Sequence, residues 1–418
     1  MLDLKWVREH PDELRAALRR RGSAFALDGF LEREAGRRRL LTEIEQQRSE
    51  HRKASDAFGR AQRGAVGPPP ARLKKLAEAI KRKAQELKQL DEALQQEAAL
   101  IPNVPHATVP DGDARANRLE RTVGEPAALR FTPKTHVELA EPRGWLDLGR
   151  AAKIAGSHFP LLLGAGARLA RALIQWMLDV HTREHGYTEV APPFLVSRAS
   201  MFGTGQLPKF EEDMYRLRDD DLFLVPTAEV PVTNLHRDEL LDGARLPVAY
   251  TAYTPCFRRE AGSYGKDTKG LIRVHQFDKV ELVQLVNPAD SYAALETLVR
   301  HAETILQRLG LHYRVVCLSA GDLGFAAAKC YDLEAWAPGL RQYLEVSSCS
   351  NFEAFQARRA NLRYRDADGK PAFVHTLNGS GVALARTLIC LLETHQQADG
   401  RVRVPEPLRP YLHGQDLL

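Results

Sequence analysis

Between Thr254 and Glu281 the sequence gathers side chains whose types suit a phosphate, a flat ring and an ammonium group. It reads T-P-C-F-R-R-E, then A-G-S-Y-G-K-D-T-K-G, then L-I-R-V-H-Q-F-D-K-V-E-L-V. Two runs rich in Ile, Val, Phe and Leu flank a Gly/Lys/Ser/Asp segment, the pattern of two antiparallel strands joined by a loop. Strand alternation puts residues two and four apart on one face. Arg258 and Glu260 are therefore expected to share a face, as are Arg273, His275, Phe277 and Glu281 on the second strand. Val274, Val280 and Leu282 fall on the opposite, core-facing side. Arginines, an aromatic ring and acids on one side of a strand pair make a floor for a ligand, not a merely solvated surface.

Other candidates are weaker alone. In T-A-E (227–229), Thr227 and Glu229 point the same way if the segment is extended, yet they also read as polar residues near a helix start. In E-V-S-S-C-S-N (345–351), Glu345 is expected at a strand end with Ser348 just beyond, a carboxylate and a hydroxyl open to a hard cation such as Mg2+. Arg386 falls within the apolar helix of L-N-G-S-G-V-A-L-A-R-T-L (377–388), where a lone arginine usually snorkels or pairs with an acid. His181 and His185 lie four apart, but Thr182 stands where a zinc-protease pair needs Glu; they read as ordinary surface histidines, and no zinc is expected. Gly265-Lys266 lacks the glycine spacing and the following Ser/Thr of a P-loop, and G-A-G-A-R-L (164–169) lacks the third glycine of a dinucleotide fingerprint. Any ATP must therefore lie on a sheet.

The elements that must position these residues are legible. Short hydrophobic strands separated by Gly, Pro and Asp over 312–345 fit an antiparallel sheet, giving an α+β fold class. Thr132-Pro133 is expected to open a helix, with Thr as cap and Pro in the first turn. The stretch 169–186 reads as an amphipathic helix ended by Gly186. Residues 102–130 hold four prolines and a polar run, and read as an extended connector.

Upstream, Leu14, Ala17 and Leu18 mark a small helical lead-in ended at Gly22. From about Leu31 to Arg63 and Ala71 to Ala99 the chain is dense in Ala, Glu, Gln, Lys, Arg and Leu. The second run carries a heptad seam through Leu73, Ile80, Leu87 and Leu94. Gly64–Pro70 cannot continue a helix, so an antiparallel two-helix coiled-coil arm follows (about 31–99, tip 64–70). Residues 31–100 hold 16 Lys/Arg against 11 Asp/Glu, and residues 48–83 hold 11 against 3. A net charge of +5 over 418 residues is thus mostly a property of this arm. Read alone, such a hairpin is a solvated or dimerising arm; its basic middle makes it a lever for nucleic-acid phosphates.

The five cysteines are scattered and form no C-x-x-C pair, which suits a reducing, cytoplasmic compartment. No run is apolar enough for a membrane span, and the N-terminus has no signal-peptide core.

The Thr254–Glu281 stretch resembles motif 2 of the class II aminoacyl-tRNA synthetases. With T-A-E, E-V-S-S-C-S-N and the 377–388 stretch, the whole chain resembles the bacterial seryl-tRNA synthetases. G-Y-T-E-V-A-P-P-F-L resembles motif 1, with Pro193 at its proline, and 377–388 resembles motif 3. Ala385 stands where many relatives carry Gly, and the Pro68–Pro70 tip departs from the family's pattern. The resemblance implies an antiparallel class II synthetase sheet with flanking helices in 131–418, a tRNA-binding arm in 1–101, and a homodimer built through motif 1.

It also implies that L-serine is activated with ATP and transferred to tRNA(Ser), with tRNA(Sec) left open as a second acceptor. Arg258, Arg386 and Glu345 are the implied catalytic residues. The ATP site would be Arg258, Glu260, Val274, Phe277, Glu345, Ser348 and Arg386, with Mg2+ on Glu345 and Ser348. The serine site would be Thr227, Ala228, Glu229, Arg258, Glu281, Asn378 and Ser380. Two other readings stay open: an amino-acid ligase that loads a carrier protein, and a coiled-coil nucleic-acid-binding protein without catalysis.

Overall fold

A computed structural model describes residues 1–61, 71–260 and 269–418. These cluster into two units: Leu2–Arg19 with Ser23–Pro102, and Met1 and Arg20–Gly22 with Asn103–Leu418.

In the first unit, α1 (Leu4–Glu9) and α2 (Pro11–Arg20) form the lead-in, with Leu14, Ala17 and Leu18 buried. The hairpin follows as α3 (Leu27–Ala61) and α4 (Ala71–Ala98), about 50 and 40 Å long at ~1.5 Å per residue. The first arm therefore begins four residues earlier than the pattern indicates. Its antiparallel sense is fixed by ion pairs that step in opposite directions: Arg33 with Glu97 (2.6 Å), Arg37 with Asp91, and Glu43 with Lys83 (2.6 Å). Ile44, Leu73 and Leu94 are buried along the seam, while Leu76, Ile80, Leu87 and Leu90 are half-buried. The tip expected at 64–70, with Pro68–Pro70, lies outside the described residues, as do Gly265 and Lys266.

The second unit is built on thirteen strands among the described residues. In chain order they are β1 (Arg118–Val123), β2 (Thr188–Glu189), β3 (Leu195–Ser197), β4 (Leu222–Leu224), β5 (Leu240–Asp242), β6 (Val248–Phe257) and β7 (Gln276–Val286). Then come β8 (Tyr313–Cys317), β9 (Lys329–Ala337), β10 (Gln342–Asn351), β11 (Arg363–Arg365), β12 (Pro371–Phe373) and β13 (His375–Ala383). Eight of them form one sheet in the order β1-β8-β9-β10-β13-β7-β6-β2, antiparallel throughout except for β2 on β6. β1 lies inside the stretch expected as a connector; its Leu119 and Arg121 find partners on β8, so this part of 102–130 is an edge strand.

Helices α5 (His136–Ala140), α6 (Leu148–Ala155), α7 (Gly164–Arg183), α8 (Arg198–Thr204), α9 (Glu229–Thr233), α10 (Ser291–Arg308), α11 (Phe355–Arg359) and α12 (Leu384–Thr394) complete the unit. α5 opens at Thr135, not Thr132. A capping box pairs Thr135 with Glu138 and satisfies two end amides at once, whereas Thr132 has Thr135, not Glu or Gln, three residues on. α7, α10 and α12 pack on one face of the large sheet, burying Trp176, Met177, Leu298, Ile305, Leu388 and Leu391 against Val280, Leu282 and Leu377. No helix among the described residues is long and apolar enough to cross a membrane. All five cysteines are buried and free.

Candidate active site

Residues two apart on β7 explain how one strand serves both the core and a site. Val280 and Leu282 are wholly buried under the helices, whereas Phe277, Lys279 and Glu281 face a cavity of about 570 Å³ on the other side. The same cavity is lined by Thr227, Glu229, Arg258, Glu260, Val274, Glu345, Ser348, Asn378, Ser380 and Arg386. Thus every site residue expected from the sequence lines it except Ala228, which is fully buried beside it.

The strand pair is shorter than expected. β6 ends at Phe257 and β7 begins at Gln276, so alternation stops there, and Val274, expected on the core side, lines the cavity instead. His275 accordingly leaves the cavity: its ring lies 5.3 Å from Phe159 and its Nδ1 meets the Arg258 carbonyl at 3.0 Å. Glu260 takes a left-handed backbone (φ 51) and reaches the cavity past the strand end, where its Oε2 accepts from Arg273 Nε at 2.5 Å. The guanidinium carbon of Arg258 sits 5.2 Å from the centre of the Phe277 ring, while its Nε meets only the Pro226 carbonyl, at 3.4 Å. Its two terminal nitrogens have no partner among the described residues. That is a two-pronged donor over an aromatic face, suited to bidentate contact with a phosphate.

Glu345 and Ser348 both lie inside β10, not at its end. Opposite β9, Glu345 pairs with Glu334 and Ser347 with Leu333, so Val346 is an extra residue. This bulge resets the alternation and puts Glu345 and Ser348, three apart, on the same face. Asp332 is the partner of Ser348 on β9, and burial, then the neighbouring Glu345, pushes its carboxyl up to about 8. Arg386, in the first turn of α12, bridges two segments: Nε donates to the Ile272 carbonyl (3.1 Å) and Nη1 to the Glu345 carbonyl (3.0 Å) and carboxylate (3.3 Å).

The deep end of the cavity holds two buried carboxylates. The T-A-E segment is not extended, since Glu229 begins α9; the turn still brings Thr227 and Glu229 to the same hollow. Thr227 Oγ1 donates to Glu281 Oε2 at 2.6 Å. Glu229 Oε1 accepts from Gln356 Nε2 at 2.6 Å, and Gln356 is held by the Thr376 hydroxyl at 2.7 Å. Burial, then the charge of Glu281, raises the Glu229 carboxyl to about 7. Glu281 Oε1 is buried and has no hydrogen-bond partner among the described residues. An orphaned carboxylate oxygen at the end of a cavity is a place for a ligand's donor.

Sequence reasoning passed over Lys279 and Gln356. Lys279 follows from the same alternation that selects Phe277 and Glu281. Gln356 carries no local signal, because its role exists only once α11 packs beside α9.

His181 is not a surface residue: it is wholly buried, its Nδ1 lies 3.0 Å from His185 Nδ1, and burial lowers its imidazole to about 3. The amphipathic pattern placed it on α7 without showing that His185 and Tyr187 would cover it. Among the described residues no group of three or more His, Cys, Asp or Glu is arranged to hold a metal ion.

Comparison with known proteins finds similarity over the whole chain. Residues 209–395 match the tRNA synthetase class II core domain (G, H, P, S and T), and residues 1–105 match the seryl-tRNA synthetase N-terminal domain. The serine–tRNA ligase of Geobacter sulfurreducens is 54% identical over 417 residues, 99% of each chain. The crystal structure of seryl-tRNA synthetase from Pyrococcus horikoshii complexed with ATP superposes with a TM-score of 0.94 at 38% identity, covering 100% of this chain and 99% of that one. The cytoplasmic serine–tRNA ligase of Naegleria fowleri, in complex with AMP, gives a TM-score of 0.86 at 31% identity over 100% and 98% of the two chains. With full-length identity above one half and both family domains matched in order, the chain belongs to the seryl-tRNA synthetase family.

Proposed function

We propose that the chain activates L-serine with ATP and esterifies the product to the 3′-terminal adenosine of tRNA(Ser). The serine carboxylate attacks the α-phosphorus, the bond to the β-phosphate oxygen breaks, and pyrophosphate leaves with seryl-adenylate retained. A hydroxyl of the terminal ribose then attacks the seryl carbonyl, and AMP leaves. Both steps need positioning and charge neutralisation more than a covalent intermediate.

The observation that carries this reading is Glu281 Oε1, a buried, unpartnered carboxylate oxygen in the same cavity as Arg258 and Phe277. It suits the ammonium group of an amino acid whose carboxylate extends toward the Arg258 fork. Glu229, Asn378 and Ser380 surround the side-chain end, with Thr227 and Ala228 forming the turn behind. Phe277 offers one face to adenine, Glu260 its carboxylate to the exocyclic amine, and Val274 its main chain. Arg386 covers the other side of the nucleotide.

The residues fit Mg2+: Glu345 and Ser348 present a half-exposed carboxylate and a hydroxyl on one face, oxygen ligands of the kind a hard cation takes, with the phosphates completing the set. When bound, the ion neutralises charge on the polyphosphate.

Two partners complete the reading. The chain acts as a homodimer through the motif 1 segment, where Phe194 and Leu195 are 43% and 40% exposed. The arm grips tRNA through its basic middle, and the reaction belongs to the cytoplasm, where five free thiols stay reduced. Charge reversal of Lys74, Lys75, Lys81 and Arg82, all exposed on α4, tests the arm. Serylation should fall by roughly tenfold or more while serine-dependent ATP–pyrophosphate exchange stays unchanged. Unchanged serylation contradicts the tRNA role, and a ligase that loads a carrier protein would then be favoured.

A further inference from the structure

Lys279 is a buried cation in a site that already holds two carboxylates. Its side chain is 7% exposed, and its Nζ pairs with Glu281 Oε2 and donates to Thr227 Oγ1 at 2.9 Å. A buried lysine with no task would be expensive, since desolvation disfavours the ammonium. The hydrogen-bond inventory shows what it does. A threonine hydroxyl has one proton and two lone pairs. The proton of Thr227 goes to Glu281 Oε2 at 2.6 Å, and its lone pairs face Lys279 Nζ and the Glu229 amide at 3.2 Å. Thr227 is therefore saturated before any substrate arrives. Glu281 Oε2 is likewise occupied twice, by Thr227 and Lys279, while Oε1 has no partner.

We infer that Lys279 is a positioning residue for amino-acid recognition. By holding Glu281 Oε2 it fixes the carboxylate plane and assigns Oε1 alone to the incoming ammonium. This rests on the serine-activation reading above. Thr227 then acts on substrate through Glu281 and not through its own hydroxyl. The charged and titratable groups around Glu281 are Lys279 on β7, Glu229 from α9, Arg258 beyond β6, and the buried thiols Cys256 on β6 and Cys349 on β10. Among the cations Lys279 alone is paired with the carboxylate. Without it, two buried acids would share the end of the pocket with no cation paired to Glu281, and the carboxylate would be free to turn.

The test is amino-acid-dependent ATP–pyrophosphate exchange with the full chain, comparing the serine and ATP KM values of wild type with those of Lys279→Met. The variant should raise the serine KM by roughly ten- to a hundredfold, as expected when a hydrogen bond to a charged group is lost. The ATP KM should stay within about twofold. A merely structural lysine would move both KM values or neither. If Lys279→Met does not fold, Lys279→Gln is measured in the same way; unfolding of both marks the lysine as scaffold and overturns the inference. A wild-type serine KM in a folded variant also overturns it, while serine-dependent exchange by wild type leaves the activation reading standing. Absence of exchange in wild type removes both.

Discussion

Glu345 and Ser348 stand three residues apart on one strand yet on the same face, because Val346 is bulged out of register with β9. Alternation alone would send them to opposite sides. Without Val346, Ser348 would lie two residues after Glu345 and would still share its face, so the bulge adds a residue without separating the pair. Ser348→Ala is expected to raise the Mg2+ concentration for half-maximal exchange about tenfold without changing the serine KM. A Mg2+ titration of wild type and variant checks this, and identical titration curves would show that Ser348 is not a ligand.

Among the described residues Arg258 makes little structural use of its charge, with a single long hydrogen bond to Pro226 and a contact with Phe277. Arg258→Ala should therefore lower exchange by about 10²–10³-fold, the scale of losing one preorganised donor to a developing charge, with the melting temperature little changed. Lysine should not rescue it, since a point charge does not reproduce a two-pronged fork. Exchange rates read beside a thermal melt separate the two effects.

Glu229 links activity to stability through pH. Its carboxyl is raised from about 4.5 to about 7 by burial and by Glu281, so the folded state holds a proton that the unfolded state has released. Stability then falls as pH rises between those values, and the ionisation costs on the order of 3 kcal/mol above the upper one. Glu229→Gln removes that cost. Relative to wild type, the variant should gain stability between pH 5 and pH 8, while its serine KM rises. Melts at both pH values test the sign; a gap that does not change with pH contradicts a raised carboxyl.

Behind the pocket, Gly381 is another bulged residue: β13 shifts register against β7 between Ser380 and Val382. A Cβ at Gly381 would lie 2.7 Å from His181 Nε2 and 3.3 Å from Val280 Cγ1. Gly381→Ala is expected to cost about 1–3 kcal/mol, and His181→Ala in the same chain should recover part of it. Chemical denaturation of the two single variants and the double variant gives the coupling; strict additivity would mean that the contact is not felt.

How far the sequence reveals this site depends on whether a residue's role is local. Phe277 and Glu281 were readable because they sit inside one strand, where the side-chain period is fixed by the backbone. His275 was misplaced because strand pairing stops at Gln276, and nothing in L-I-R-V-H marks that end. The bulges at Val346 and Gly381 were not readable, since a bulge is defined against a partner strand far away in sequence. Gln356 was hidden for the same reason. The arm's second helix was legible from its heptads, but the start of the first at Leu27 depended on packing within the first unit. Arg258, Glu260, Glu345, Ser348 and Arg386 became legible by resemblance, which supplies long-range information that a single pattern lacks.

The central claim is that the cavity between Glu229, Glu281 and Arg258 selects serine for adenylation. ATP–pyrophosphate exchange over a panel of amino acids, without RNA, tests it most directly. Serine should support exchange, with alanine and glycine lower by roughly 10³–10⁵-fold because they leave buried hydrogen-bonding groups unpaired. Equal exchange with alanine or threonine, or none with serine, would contradict the account.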